Sequence, residues 1–298
     1  WSKKTQKSML FNLISKIFGR HYSKSEMSIY LDQKHQLNTS DEIKKHIDGC
    51  EKCWDLWNKA RWDRTKGTTG FEELKEYLGN NFSEYDEYYD SSWALAKEWN
   101  NLNPQNKEEI SDYYKKTKNY LFNLIIWHES GDRPPLYLDL KKLIENFNIK
   151  VVIDFGCGVG TDSIFLLENG IETKMVDFIG HSSDFLLWRI KKRNLTLGEF
   201  INTEKIKKLP SADMFWAIDV LEHLPDPSRI LELIPDDLRI FIHRSQFNDT
   251  ANGRHPHHMT FNEDILKKGL KDKGFREVPW PGLSVWVKSP LSDIIASD

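Results

Sequence analysis

The hydrophobic pattern is clearest at Val151-Val152-Ile153-Asp154-Phe155, a short β-branched apolar run that reads as a buried parallel strand. A glycine-spaced turn follows, and Asp162 to Asn169 then reads as a helix closed by Gly170 at its C-cap. Strands and helices alternate from there. Thr173 to Asp177 reads as the second strand, and Phe178 to Arg193 as a helix with a basic end. Glu199 to Asn202, Met214 to Ile218 and Arg239 to His243 read as the third, fourth and fifth strands. Pro227 to Leu233 is the helix after the fourth strand, with its proline near the first turn. Asn262 to Lys273 is a helix stopped by Gly274, and Phe275–Trp280 and Leu283–Lys288 flank Pro281-Gly282 as a hairpin.

Before Val151 the pattern is helical and aromatic. Helices are predicted over Glu72–Leu78, Ser91–Trp99, Lys107–Trp127 and Leu136–Phe147, with Pro134-Pro135 breaking the chain. Lys66-Gly67-Thr68-Thr69-Gly70 is the best linker candidate. Trp54 and Trp57 lie three positions apart, share a helical face and read as core, with Trp62 following on the same helix. Ser8 to Phe18 suits a short amphipathic helix flanked by lysines, which packs on its own protein or touches a membrane surface or a partner.

Composition narrows the class. The chain has 298 residues and a net charge of -3, enough length for a full core and no electrostatic case for binding nucleic acid. It has no run of about twenty apolar residues, so no transmembrane segment is expected. No secretory signal is visible, and the three cysteines form no disulfide pattern, so a reducing, cytoplasmic setting is expected.

The chemistry concentrates after the first strand. In Asp154-Phe155-Gly156-Cys157-Gly158-Val159-Gly160-Thr161, Gly156 and Gly158 let backbone approach a ligand and Gly160 allows a tight turn into the helix. The spacing is G-x-G-x-G rather than the dinucleotide pattern G-x-G-x-x-G, and Asp154 suits a ligand carrying a positive amino group. This stretch resembles motif I of the class I S-adenosylmethionine (SAM)-dependent methyltransferases. Asp177 then stands at the end of the second strand, where an acid can accept both ribose hydroxyls, and Phe178 follows it, placed to lie against adenine. Ala212 to Pro227, including Asp219, Glu222 and His223, is similar to the strand-four motif of the same family, which ends in an acidic, histidine-containing turn over the methionine part of the cofactor. The resemblance covers about half of the chain. It implies an α/β fold with a Rossmann-like, seven-stranded, mostly parallel sheet, helices on both faces, and SAM as cofactor, bound by Asp154, Gly156, Cys157, Gly158, Gly160, Asp177, Phe178 and Asp219.

Methyl transfer from a sulfonium needs mainly positioning and exclusion of water, with a base only where the acceptor arrives protonated. Candidates are Glu222-His223 after the fourth strand and Arg254-His255-Pro256-His257-His258-Met259-Thr260 after the fifth, where His258 fits best a histidine-proline-x-histidine loop of related methyltransferases. The clustered histidines serve as base or substrate contact, hold a metal, or are structural. The resemblance also implies that the segment before motif I shapes the substrate pocket, with Tyr120, Trp127 and His128 as candidate walls. The aromatic helices favour a small-molecule acceptor; the alternative is a non-catalytic SAM-binding regulator that acts through protein contact.

A second cluster lies upstream. His46-x3-Cys50-x2-Cys53 brings one imidazole and two thiolates around one point, and a structural zinc needs four ligands. The stretch resembles the zinc-finger module of zinc-binding anti-sigma factors, in which a His or Cys precedes a Tyr-Leu-Asp helix. His21 matches that upstream ligand, Tyr30-Leu31-Asp32 matches the helix, and His35 is the alternative fourth ligand. Gln33-Lys34 departs from the family, which has Gly and then an acid there. The module implies a protein partner. The resulting division is an N-terminal segment (1–20), a zinc-finger-like all-α module (21–66), a helical cap (71–149) and a methyltransferase domain (150–298).

Overall fold

A computed structural model of the chain describes residues 21–33, 40–85, 90–249 and 253–288. The amphipathic stretch 8–18 and His35 lie outside the described residues. Helices α1 (Lys24–Gln33), α2 (Ser40–Gly49), α3 (Glu51–Thr65), α4 (Thr69–Leu78), α5 (Ser91–Leu102), α6 (Lys107–Lys116), α7 (Asn119–Trp127) and α8 (Arg133–Phe147) lead into the sheet. Its strands are β1 (Val151–Phe155), β2 (Glu172–Asp177), β3 (Gly198–Asn202), β4 (Met214–Ile218), β5 (Ile240–Arg244), β6 (Phe275–Val278) and β7 (Ser284–Lys288). Between them run α9 (Thr161–Glu168), α10 (His181–Lys192), the short α11 (Ile230–Leu233) and α12 (Glu263–Asp272).

The seven strands take the order β3-β2-β1-β4-β5-β7-β6. The pairs β1–β2, β2–β3, β1–β4 and β4–β5 are parallel, and β7 runs antiparallel to both β5 and β6. The expected Rossmann-like, mostly parallel sheet with a terminal antiparallel pair is thus present. Its apolar runs are continuous because both faces are covered. On one face Val152, Met214, Trp216 and Ile242 pack with Leu136, Leu140, Leu143 and Phe147 of α8. On the other, Ile153, Phe215, Ala217 and Phe241 pack with Leu266 and Leu270 of α12. The order reverses between β1 and β4, so the crevice at the C-terminal ends of these strands is where an open α/β sheet binds its ligand.

Three upstream expectations are corrected. The predicted helix Lys107–Trp127 is two helices. Thr117 leaves α6 with an extended backbone (φ -69°, ψ 126°), and its hydroxyl donates to Glu98 Oε2 at 2.6 Å, which holds the break. Pro134-Pro135 does not end a helix but opens α8, in the first turn where missing N–H groups cost nothing. The break falls just before, in the wide turn His128–Asp132, where Gly131 has φ +124°. The expected linker at Lys66–Gly70 is a tight turn, with Thr69 and Gly70 already in α4.

The helices upstream are built onto the sheet domain. Phe71, Leu74, Phe122 and Ile125 share a core with Val159 of the glycine turn and Phe185 of α10. Buried Glu73 accepts from Arg189 Nε (2.8 Å) and Arg193 Nε (2.7 Å), and Arg189 Nη1 reaches the Val159 carbonyl at 2.7 Å. A residue of α4 therefore fixes, through α10, the turn that follows β1.

Candidate active site and metal centre

A cavity of about 760 Å³ opens over the C-terminal ends of β1, β2 and β4 and is roofed by α5–α7. That volume lies within the range of small-molecule sites. At one end the chain leaves β1 through Gly156 (φ +70°) and Gly158 (φ +52°). A Cβ on Gly156 would stand 2.4 Å from the Val220 side chain, so the turn after β4 can close on it only because the residue is glycine. Gly160 stands apart from the cavity wall: its job is packing, since a Cβ there would meet Leu186 of α10 at 2.0 Å.

Asp177 closes β2 beside that turn. Its Oδ2 accepts from Gly158 N and its Oδ1 from Phe178 N, each at 2.7 Å. Burial pushes the carboxyl up to about 6 against these two bonds. Each oxygen keeps a lone pair for a ligand hydroxyl. Phe178 lines the same end, with Lys115 Nζ 5.6 Å from its ring centre. Asp154 is buried at the floor, accepts from Ser163 Oγ at 2.5 Å, and is pushed up to about 8 by burial and then by Asp162.

Beneath the cavity lies a charged network that pattern reading missed. Arg133 Nε donates to Asp162 Oδ1 (3.0 Å), and its Nη1 to Asp132 Oδ2 (2.8 Å) and Asp219 Oδ2 (2.9 Å). Arg244, at the end of β5, donates to Asp219 Oδ1 (3.0 Å) and Oδ2 (2.5 Å) and to Asp132 Oδ2 (2.7 Å). Burial raises the Asp219 carboxyl, but Arg244 and Arg133 together hold it below its ordinary value. Asp219 reaches this geometry from a left-handed backbone (φ +57°). Sequence placed Asp219 at the cofactor; the structure places it on the cavity wall with its carboxylate engaged by two arginines. Arg133 sits just ahead of Pro134-Pro135, and no local pattern tied it to Asp162 or Asp219, far along the chain.

The other end of the cavity is histidine-rich. His223 follows β4, and His255, His257 and His258 follow β5. The two segments are joined where Met259 N donates to the Glu222 carbonyl at 2.7 Å. The rings of His223 and His257 stack, with centres 5.2 Å apart, and His258 meets His223 edge-on at 4.9 Å. Burial holds His223 and His258 down at about 4, so both rings are neutral at neutral pH. Glu222 is pushed up to about 8 by burial and then by Asp219; its Oε1 accepts from Gln246 N at 3.1 Å. Tyr120, Trp127 and His128 all line the cavity, as does Tyr114, which sequence did not single out. His257, the most buried of the loop, was one of the clustered histidines, but His258 fitted the family pattern better.

The structure brings together His21, His46, Cys50 and Cys53. His46 Nε2 lies 3.3 Å from Cys53 Sγ, and His21 Nδ1 lies 3.3 Å from Cys50 Sγ and 3.7 Å from Cys53 Sγ. One ligand atom from each of the four lies within 4.8 Å of the others. Tetrahedral zinc, with bonds of about 2.0–2.3 Å, sets its ligands at about these separations. Around them Met27, Tyr30, Ile43, Ile47 and Trp54 form a small core of their own.

The family described as "Methyltransferase domain" matches residues 130–278, half of the chain. The match begins twenty-one residues before β1 and takes in Arg133. No curated protein matches the chain. Among solved structures, the Burkholderia thailandensis 1,6-didemethyltoxoflavin-N1-methyltransferase is 19% identical over 62% of this chain and 91% of its own, with a TM-score of 0.44. The magnesium protoporphyrin IX methyltransferase of Synechocystis PCC 6803 is 16% identical over 75% of this chain and 99% of its own, with a TM-score of 0.43. No described helix is long and apolar enough to cross a membrane. The chain belongs to the methyltransferase domain family, and it is a methyltransferase.

Proposed function

We propose that this enzyme moves the methyl group of SAM to a small-molecule acceptor held among the histidines. The observation that carries the reading is one continuous cavity that runs from Asp177 and Phe178, past Gly156 and Gly158, to Glu222, His223 and His258. Asp177 accepts the ribose hydroxyls, and Phe178 lies against the adenine. Gly156, Cys157 and Gly158 offer backbone close to the ligand, and Gly160 holds that turn in shape. Asp154 lies at the floor, where the cofactor's ammonium group would favour its ionised form. SAM supplies an electrophilic methyl group on a positively charged sulfur. The chain's own residues align the acceptor with it, and the roof of Tyr114, Tyr120 and Trp127 keeps water out. Glu222, His223 and His258 touch the acceptor and orient it toward the methyl group.

We also propose that His21, His46, Cys50 and Cys53 hold a structural zinc, since four protein ligands leave no position for water. In this reading residues 21–66 are the zinc module, 71–149 the cavity's cover and 150–298 the catalytic domain. The module's own packing supports a role within the chain. Arg61 Nε donates to buried Ser130 at 3.3 Å, and Trp54 Nε1 donates to Asp90 Oδ2 at 3.2 Å.

Calorimetry with S-adenosylhomocysteine and with NAD tests the cofactor, and turnover of SAM against a metabolite panel tests the acceptor. Preferential binding of NAD would refute the assignment. Binding of S-adenosylhomocysteine with no turnover on any acceptor would favour a SAM-sensing regulator instead.

A further inference from the structure

We infer that His223, His257 and His258 form a second metal site, one with open positions that face the cavity. One ring nitrogen from each lies within 4.8 Å of the other two. Two chain segments converge to make the cluster, the turn after β4 and the segment after β5, and the Met259 N–Glu222 O bond fixes them together. The Nδ1 atoms of all three rings are buried without a hydrogen-bond partner among the described residues. So is Oε2 of Glu222, the chain neighbour of His223. Tyr114 and Tyr120 pack edge-on against His223, and Trp99 against His257, while backbone groups of His257 and Asp249 bond to His223 and His258.

Buried polar groups are normally paired, so three neighbouring rings that each carry an unpaired buried Nδ1, and that can each turn one ring nitrogen to a common point, call for an explanation. A single cation at that point would take one nitrogen from each ring. Three imidazoles select a first-row transition ion such as zinc, cobalt or nickel over magnesium or calcium, which prefer oxygen. The site differs from the Cys50–Cys53 cluster in kind. Four protein ligands close that one, whereas three leave a position for an exogenous oxygen or nitrogen. All three histidines line the cavity, so that position opens where the acceptor has to lie. The inference deepens the methyl-transfer reading by giving the acceptor a ligand role, but the metal count that tests it needs no turnover.

The experiment strips the full chain with chelator and titrates it with Co2+ alone, followed by optical absorption. A cysteine-containing site shows thiolate-to-cobalt charge-transfer bands, and a histidine site shows ligand-field bands without them. About two equivalents are expected, one of each kind. His223→Asn, His257→Gln and His258→Gln, made singly, should each weaken the thiolate-free equivalent by at least about tenfold and leave the thiolate bands intact. Three separate variants guard against loss of fold in one, and S-adenosylhomocysteine affinity reports that the rest of the site is intact. A wild-type chain that saturates at one equivalent with full thiolate bands would overturn the site. So would a thiolate-free equivalent that persists unchanged in all three variants. A thiolate-free equivalent without any thiolate bands would support this site while refuting the zinc module.

Discussion

The guanidinium of Arg254 lies 4.6 Å from the centre of the Trp54 ring, and it also donates to the carbonyl of Asp48. Lys44 bridges Asp48 (2.9 Å) and Asp249 (2.8 Å), and His255 meets Trp54 edge-on at 6.3 Å. The candidate zinc module thus grips the segment that carries His255, His257 and His258. Trp54 stands next to Cys53, so ordering the cysteines orders the surface that holds the histidines.

This contact makes Arg254 a positioning residue. Arg254→Ala removes a cation–aromatic contact and a carbonyl partner but touches neither end of the cavity directly. Turnover should fall by about 10–100-fold, the scale of a small misplacement of catalytic groups. S-adenosylhomocysteine affinity, set at the Asp177 end, should stay unchanged. Kinetics and calorimetry on the same variant check the split, and equal loss in both would mean that Arg254 only supports the fold.

Cofactor affinity should depend on pH through Asp177. In its proposed role the ionised carboxylate would accept ligand hydroxyls, while burial keeps it protonated below about 6 in the free protein. Binding favours the ionised form. The Asp177 contribution to affinity should therefore be level above pH 6 and fall as pH drops through it, by up to about tenfold per unit. Asp177→Ala should weaken S-adenosylhomocysteine by about 1–3 kcal/mol and flatten that profile. Calorimetry across this range decides it; an unchanged slope in the variant would place the titrating group elsewhere.

How far the sequence could be read follows from the range of each interaction. The strands' positions along the chain were within reach because their signals are local: a β-branched run at Val151, glycine turns, and an acid closing β2. The Cys50–Cys53 spacing was readable for the same reason. The Arg133–Asp219–Arg244 network was not, because its members come from α8, from the end of β4 and from β5, and meet only once the sheet is assembled. The break at Thr117 was hidden by an unbroken apolar periodicity, since what holds it is Glu98 on another helix.

That network should be a stability determinant as well. Arg244→Ala leaves Asp219 and Asp132 each short of a cation in a buried site. Breaking such a pair costs about 3–5 kcal/mol. Denaturant unfolding should show a loss of this size, with Asp219→Asn in the Arg244→Ala background recovering part of it. A loss under about 1 kcal/mol would mean that water reaches the site and screens it.

His223 and His258 should matter for turnover and not for the cofactor. Their rings sit at the end of the cavity away from Asp177, and burial keeps them neutral. His223→Ala and His258→Ala should each lower kcat by about 100-fold or more, the scale of a lost proton acceptor or ligand. S-adenosylhomocysteine should bind as before. Unaltered turnover in both variants would leave the cluster a structural role.

The zinc module offers the last test, and ligand geometry sets its terms. Cys50 and Cys53 flank the first turn of α3, and His46 stands four residues before Cys50 at the end of α2. His21 precedes α1 and returns its Nδ1 to within 3.3 Å of Cys50 Sγ, so the fourth ligand ties the chain's earlier segment to the next two helices. The core around Met27, Ile43 and Trp54 is small, so bound metal should supply much of the module's folding free energy. Chelation should expose residues 21–62 to protease while the seven-stranded sheet stays folded. It should also slow turnover, because the module grips Arg254. His21→Ala should reduce the thiolate-to-cobalt bands. Full bands in that variant would pass the fourth place to His35, and a protease-resistant module in metal-free protein would remove the zinc altogether.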